Sequence, residues 1–271
     1  MRGDGMGGWR ALRGGICLLV AVYLLAPLAI IIAISFSAAP FLKFPPPGLS
    51  LRWFVEFFRL PNMRAAFALS IELAVASSCL ATALATMAAL ALVRRRGLVA
   101  TLLNQLFLAP LVFPTIILGL ALLLFYKTLG VGILPGLILA HVLVGTPYCF
   151  RSVLTSLQSF DFSLEEAGQS LGAGPLRTFF LITLPVIWPG LISGWFFAFI
   201  VSFGELNTAL FLTGPGETTL PIEIFSYLQF QGSQLVIAAA SALQVGLILV
   251  LILAIERLIG LGRLASDRSR G

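Results

Sequence analysis

The chain has 271 residues, of which 59% are hydrophobic and only 10% charged, with a formal net charge of +6. So little polar surface cannot cover a water-soluble globule, which excludes a soluble enzyme or binding module and leaves a polytopic membrane protein. The positive charge does not imply a nucleic-acid partner, because the basic residues stand in short runs beside apolar segments rather than along one polar face.

Crossing roughly 30 Å of hydrocarbon takes about 20 apolar residues in a helix. About six such stretches can be marked, near 15–36, 65–93, 99–126, 133–150, 186–212 and 235–255. All are expected to be α-helices, since the bilayer offers the backbone no water and strand-like alternation is absent. The expected fold is therefore all-α with about six transmembrane helices. The first stretch follows Arg10 and Arg13 and runs into Ser35, Ser37, Ala38 and Ala39, which mimics a signal peptide. Its apolar core of about 20 residues exceeds the roughly 7 to 15 of a signal core, so it is read as a retained helix.

Threading six helices puts Arg2, Arg10, Arg13, Arg94, Arg95, Arg96, Arg151, Arg177, Arg257, Arg263, Arg268 and Arg270 on one side. Lys43, Arg52, Arg59, Arg64 and Lys127 fall on the other. Lys and Arg collect in cytoplasmic loops, so both termini, the 94–96 turn and the loop after the fourth helix are expected in the cytoplasm. The outward segment between the first two spans, PPPGLSLRWFVEFFRLPNMRAAF, interleaves Trp53, Phe54, Phe57 and Phe58 with Arg52, Glu56 and Arg59, the pattern of a short interfacial helix.

Two carboxylates stand inside spans, Glu72 in the second and Glu205 in the fifth. Each lies about seven residues from the outer end, a depth of roughly 10 Å. A charge near a helix centre costs about 2.5 to 3.5 kcal/mol, so such a group faces a cavity or a partner. Equal depth points to a shared outer vestibule suited to a cationic solute, with Asn207 beside Glu205. The alternative is local capping by Asn207 or Ser70, or reach to the headgroups. His141 in the fourth span is read as a packing histidine. Cys17, Cys79 and Cys149 are odd in number and lie in apolar segments, so they are read as packing residues, with neither a disulfide framework nor a metal site.

The long polar interruption of the second half is SLEEAGQSLGAGPLRTFFLITLPVIWPG, residues 163–190. GQSLG within it matches the G-x-S-x-G of a hydrolase nucleophile elbow, which needs a strand before the serine and a histidine later in the chain. His141, the only histidine, precedes Ser170. No catalytic residue is assigned, and a membrane esterase using Ser170 stays a remote alternative. H-E-x-x-H and P-loop patterns are absent. The loop reads instead as two helices and a corner. Ser163 and Glu166 form a capping box, and Glu165 and Glu166 suit the positive end of the helix dipole. Leu164, Ala167 and Leu171 share one face flanked by Gly168, and Gly172, Ala173 and Gly174 end the helix. Pro175 starts a second helix that closes at Leu184 and Pro185. The first helix, with its small-residue face, suits close packing in a partner's groove.

Glu166, Ala167, Gly172, Ala173, Phe179, Ile182, Leu184 and Pro185 reproduce the EAA pattern, E-A-A-x3-G-A-x5-F-x2-I-x-L-P, with Gly168 where the third residue is usually Ala. The chain thus resembles the permease subunits of bacterial ABC importers. LSLRWFVEFFRLPNMRAAFALSI, His141 and SFGELNTALFLTGPGETTLPIEIFSYL are similar to the spermidine/putrescine type. The resemblance implies the type I importer membrane domain, with residues 163–174 as the coupling helix formed by Ser163, Leu164, Glu165, Glu166, Ala167, Gly168, Leu171, Gly172 and Ala173. It implies a bacterial inner-membrane protein whose partners are an ATPase dimer, a second permease subunit, homologous rather than identical, and a periplasmic or extracytoplasmic solute-binding protein. No cofactor is expected on this chain, since ATP and Mg belong to the partner ATPase, and no nucleic acid is expected. The solute implied is putrescine or spermidine, with opines, aminoalkylphosphonates and amino-acid-like solutes as alternatives in the wider subfamily.

Overall fold

The computed structural model describes residues 4–230 and 233–268. Arg2 and Arg270, counted above among the orienting charges, lie outside them. Among the described residues the chain is almost wholly helical, with no strand and two isolated bridges, Ser37 with Leu49 and Gly214 with Glu217. Five helical segments are long and apolar enough to cross a membrane, and one bent pair makes a sixth. Two compact units divide the chain: residues up to Arg64 with Ile224–Val250, and Ala65–Glu223 with the residues from Leu251 onward.

In the first unit, α1 (Asp4–Ser35) carries an apolar stretch, Leu12–Ser35, none of whose most apolar window is buried in the chain. Such a helix faces lipid or another subunit. The chain after it turns back through the Ser37–Leu49 bridge, and Trp53 Nε1 donates to Ser37 O at 2.8 Å. That bond seats α2 (Arg52–Arg59), whose Trp53 and Phe57 are buried while Val55 and Phe58 face outward. The Arg52 guanidinium lies 4.2 Å from the Trp53 ring centroid. The short helix expected here forms, with only part of its aromatic set left for an interface.

α3 (Pro61–Val93) begins four residues before the expected 65 and supplies Ala81, Ala85 and Ala89, all fully buried, to the core of the second unit. Alanines one turn apart let neighbouring helices approach closely. The third expected span, 99–126, is not a single helix. α4 (Leu98–Leu108) runs into a 3-10 turn, Ala109–Leu111, and α5 (Thr115–Leu129) leaves it bent by 101°. Pro110 and Pro114 are the cause: each removes an amide donor, and Pro114 disfavours helical backbone at Phe113.

α6 (Ile133–Gln158) packs along the helix that begins with α8 (Pro175–Thr178), widens into a π turn at Phe179–Thr183 and continues as α9 (Leu184–Phe203). The crossing is close because α9 presents glycine. A Cβ at Gly194 would stand 3.1 Å from Cys149 Cα, and one at Gly190 would collide with the Ser156 side chain. Ser152 Oγ donates to Gly190 O at 2.9 Å and Cys149 Sγ to Gly194 O at 3.2 Å, so polar bonds reinforce the small-residue contact. Of the cysteines read as packing residues, only Cys149 is buried; Cys17 and Cys79 are exposed.

Two expectations about this rod are corrected. The helix after Pro175 does not close at Leu184 and Pro185 but runs unbroken from Pro175 to Phe203. Pro185 has no amide to donate one turn back, and the chain absorbs that loss by widening into the π turn. The expected span 186–212 is in turn interrupted: α9 stops at Phe203, and α10 (Ala209–Leu212) starts after a non-helical stretch. α11 (Leu220–Phe230) and α12 (Gln234–Arg268) complete the chain.

Candidate functional site

α7 (Ser163–Ser170) is the short helix of the polar loop. The expected capping box between Ser163 and Glu166 does not form. The helix begins earlier, and Asp161 Oδ1 accepts the Ser163 N–H at 3.0 Å, a charged acceptor replacing the hydroxyl. The Ser163 hydroxyl and amide hold the exposed Asp161 carboxyl below the usual carboxylate range. At the other end, Gly172 N–H bonds Gln169 O at 2.9 Å and Ala173 N–H bonds Gly168 O at 3.1 Å, the two bonds of a Schellman cap. Gly172 has φ +86, which is why glycine follows the helix there.

Gly168 and the outer face do different things. Gly168 is buried, and a Cβ on it would meet Ile182 Cδ1 at 2.6 Å, so this departure from the EAA pattern lets α7 lie close on the rod beginning at Pro175. Within the chain its neighbours are Ile182 and Thr178. Leu164, Glu166, Ala167 and Gly172 are exposed, and Leu171 is 90% exposed. Ala173 is half-buried. Leu171 and Ala167 thus leave an exposed apolar face on α7. Glu165 turns inward: Arg94 pairs with its Oε2, and Thr183 Oγ1 donates to its Oε1 at 2.6 Å. Sequence reading took Glu165 for a dipole partner and missed both bonds.

Ser170 Oγ donates to Glu166 O at 2.8 Å, within its own helix. His141 is on α6, 1% exposed, with Nδ1 2.7 Å from Ser202 Oγ; Ser202 Oγ in turn lies 2.9 Å from Ser77 Oγ. That chain ties α3, α6 and α9 together, as a packing histidine does. Among the described residues no strand precedes Ser170, and the chain's one histidine is bonded to Ser202 while the Ser170 hydroxyl is bonded to Glu166 O.

The two intramembrane carboxylates have different surroundings. Glu72 is exposed on α3, eleven positions after Pro61 and so roughly 16 Å along the helix axis. Glu205 is 9% exposed, in the break after α9, where its Oε1 accepts the Thr208 N–H at 2.8 Å. Asn207 and Ser70, named above as local caps, are engaged elsewhere. Asn207 Nδ2 donates to Thr115 Oγ1 at 3.1 Å, and Ser70 Oγ accepts the Leu220 N–H at 2.7 Å. The break is pressed against α5, since a Cβ on Gly119 would lie 2.9 Å from the Thr208 backbone.

A cavity of about 650 Å³ lies along α6 and α9, with Tyr148, Arg151, Ser152, Thr155, Ser156 and Ser193 on its wall. Sequence reading passed over this stripe. Its signal was there, because hydroxyls at 152, 155 and 156 recur on one helix face of an otherwise apolar span.

Helices long and apolar enough to cross a membrane define an integral membrane protein, and α7 lies outside them with an exposed apolar face. The model of the family described as "Binding-protein-dependent transport system inner membrane component" matches residues 81–260, and the chain belongs to that family. It is 39% identical over 228 residues to the "Putrescine transport system permease protein PotI" of Escherichia coli (strain K12), covering 80% of this chain and 79% of that one. It is 28% identical over 263 residues to the "Spermidine/putrescine transport system permease protein PotC" of the same strain, covering 97% of both. Among solved structures, a chain of a bacterial ABC transporter "involved in the import of the acidic polysaccharide alginate" superposes with a TM-score of 0.74 at 13% identity, over 95% of this chain and 98% of that one. The fold is thus that of an ABC importer membrane domain, and the protein is a multi-span component of the inner membrane.

Proposed function

We propose that the chain is one permease half of an ABC importer for a small organic cation, putrescine or spermidine, delivered by a solute-binding protein. ATP hydrolysis takes place on a partner ATPase dimer and reaches the membrane through α7. The observation that carries the reading is the geometry of α7: a capped helix, bare on its Leu164, Ala167 and Leu171 side and seated through Gly168 on the rod that becomes α9. The likeness to putrescine and spermidine permeases supports the solute class. With α7 on the ATPase side, both termini are cytoplasmic, and a second, homologous permease completes the pathway.

Glu205, with Asn207 beside it, is the carboxylate proposed to meet the solute, and Glu72 contributes less. Glu205→Gln keeps an oxygen for the Thr208 N–H and removes only the charge. It is expected to lower putrescine uptake about tenfold in the reconstituted complex, because charge attraction strengthens in a partly desolvated site. Glu205→Ala also strands a buried amide, at about 1–3 kcal/mol, and should lower the amount of folded protein as well. Unchanged putrescine uptake in Glu205→Gln removes the carboxylate from the pathway. Arg151 on the cavity wall favours a second reading, a solute with an anionic group such as an aminoalkylphosphonate. Competition against labelled putrescine by putrescine, spermidine and 2-aminoethylphosphonate decides between the two.

A further inference from the structure

The arginine run 94–96 sets orientation by its charge, yet its members are not equivalent. Arg95 and Arg96 are exposed and make no ion pair among the described residues, whereas Arg94 pairs with Glu165, 71 positions away. The Arg94 guanidinium also lies 4.2 Å from the Phe162 ring centroid, and Phe162 packs with Leu92 and Phe160 in one apolar cluster. The pair is therefore held from two sides. The Glu165 side chain is 14% exposed against 56% for Arg94, so the carboxylate is the shielded member and depends on its partners. Its other oxygen takes the hydroxyl of Thr183, a buried residue in the π turn at the root of α9.

We propose that Arg94 and Glu165 form a transmission clamp, by which one carboxylate on α7 moves both α3 and α9 when α7 is displaced. Without it, α7 is joined to α9 through Gly168 and the covalent chain, and α3 meets the loop through the apolar cluster of Leu92 with Phe160 and Phe162. With it, the helix bearing Ser77 and the helix bearing Ser202 receive the same displacement at their α7 ends. The clamp rests on the reading of α7 as the ATPase-facing element, and Arg94 acts as a positioning residue, touching neither solute nor nucleotide.

The test uses the complete transporter in liposomes, with putrescine as the transported probe, and measures uptake per ATP hydrolysed together with ATPase co-purification. Arg94→Glu and Glu165→Arg should each retain the ATPase and lose about tenfold in uptake per ATP, while the double swap should return to within about threefold of the parent, because partners in contact are non-additive. An unchanged ratio in either single variant, or a double swap no better than the singles, overturns the clamp. Where a charge reversal fails to accumulate in the membrane, Arg94→Gln replaces it, with a loss of about threefold expected and an unchanged ratio again overturning the clamp. Leu171→Arg keeps the two readings apart. If it leaves ATPase co-purification intact, the docking role of α7 falls; if it abolishes co-purification while the swap arms fail, only the clamp falls.

Discussion

Gly172→Arg is expected to separate the permease from its ATPase while leaving the chain in the membrane. Gly172 sits at φ +86, where a side-chain-bearing residue costs about 1–2 kcal/mol. A Cβ there meets nothing within 4 Å of this chain, so steric conflict must come from a partner. Gly172→Ala accordingly carries the backbone strain alone and should reduce uptake by no more than about five- to thirtyfold, since about 1.4 kcal/mol is a factor of ten. Arginine adds bulk and charge beside the bare Leu171, and uptake should fall at least about a hundredfold with loss of ATPase co-purification. Equal effects from alanine and arginine would mean that only the cap matters and that this surface is not an interface.

Gly194→Leu is expected to be the most damaging change to the fold itself. Its Cβ would stand 3.1 Å from Cys149 Cα and 3.3 Å from Cys149 O, atoms of the α6 backbone that cannot rotate away. The α6–α9 crossing would have to open, giving up the Cys149 and Ser152 bonds to α9 and the packing of Ala198 against Gly145. Overpacking of this kind costs about 1–3 kcal/mol or more, enough to deplete a marginally stable domain. Gly246→Leu on α12, where a Cβ meets nothing within 4 Å, is the control. Size-exclusion profiles in detergent should show a large loss of monodisperse protein for Gly194→Leu and none for Gly246→Leu. A monodisperse Gly194→Leu protein would mean that the crossing is looser than these distances imply.

Composition and hydrophobic runs make the membrane class and most of the helices legible in the sequence, because spanning is a demand on average polarity over about 20 residues. Interruptions are harder to see. Pro110 and Pro114 lie in an apolar run whose hydropathy continues across the 101° bend, and at the end of α9 only Gly204 and Glu205 interrupt an apolar run that resumes at Leu206. Local signals compete at α7, where Asp161 and Ser163 both suit a helix start, and the winner depends on where the preceding turn ends. The EAA spacing marks Gly172 correctly as a helix end, since a left-handed cap is a local demand. Glu165 is different: its partners Arg94 and Thr183 come from distant elements, and pairing of that range leaves no periodicity to read. Gly168 looks like an outer-face residue by its neighbours and proves to be an inner one, because helix rotation about α7 is set by Ile182 and Thr178 beneath it.

The claim that this chain turns the hydrolysis of ATP by a partner into movement of a small cation across the membrane is tested most directly by uptake of labelled putrescine into proteoliposomes. The vesicles contain the assembled transporter and enclose ATP, with solute-binding protein added outside. Accumulation should require the ATP, the binding protein and an intact Leu171 surface together. Putrescine flux that persists without ATP, or that survives Leu171→Arg undiminished, would contradict the account.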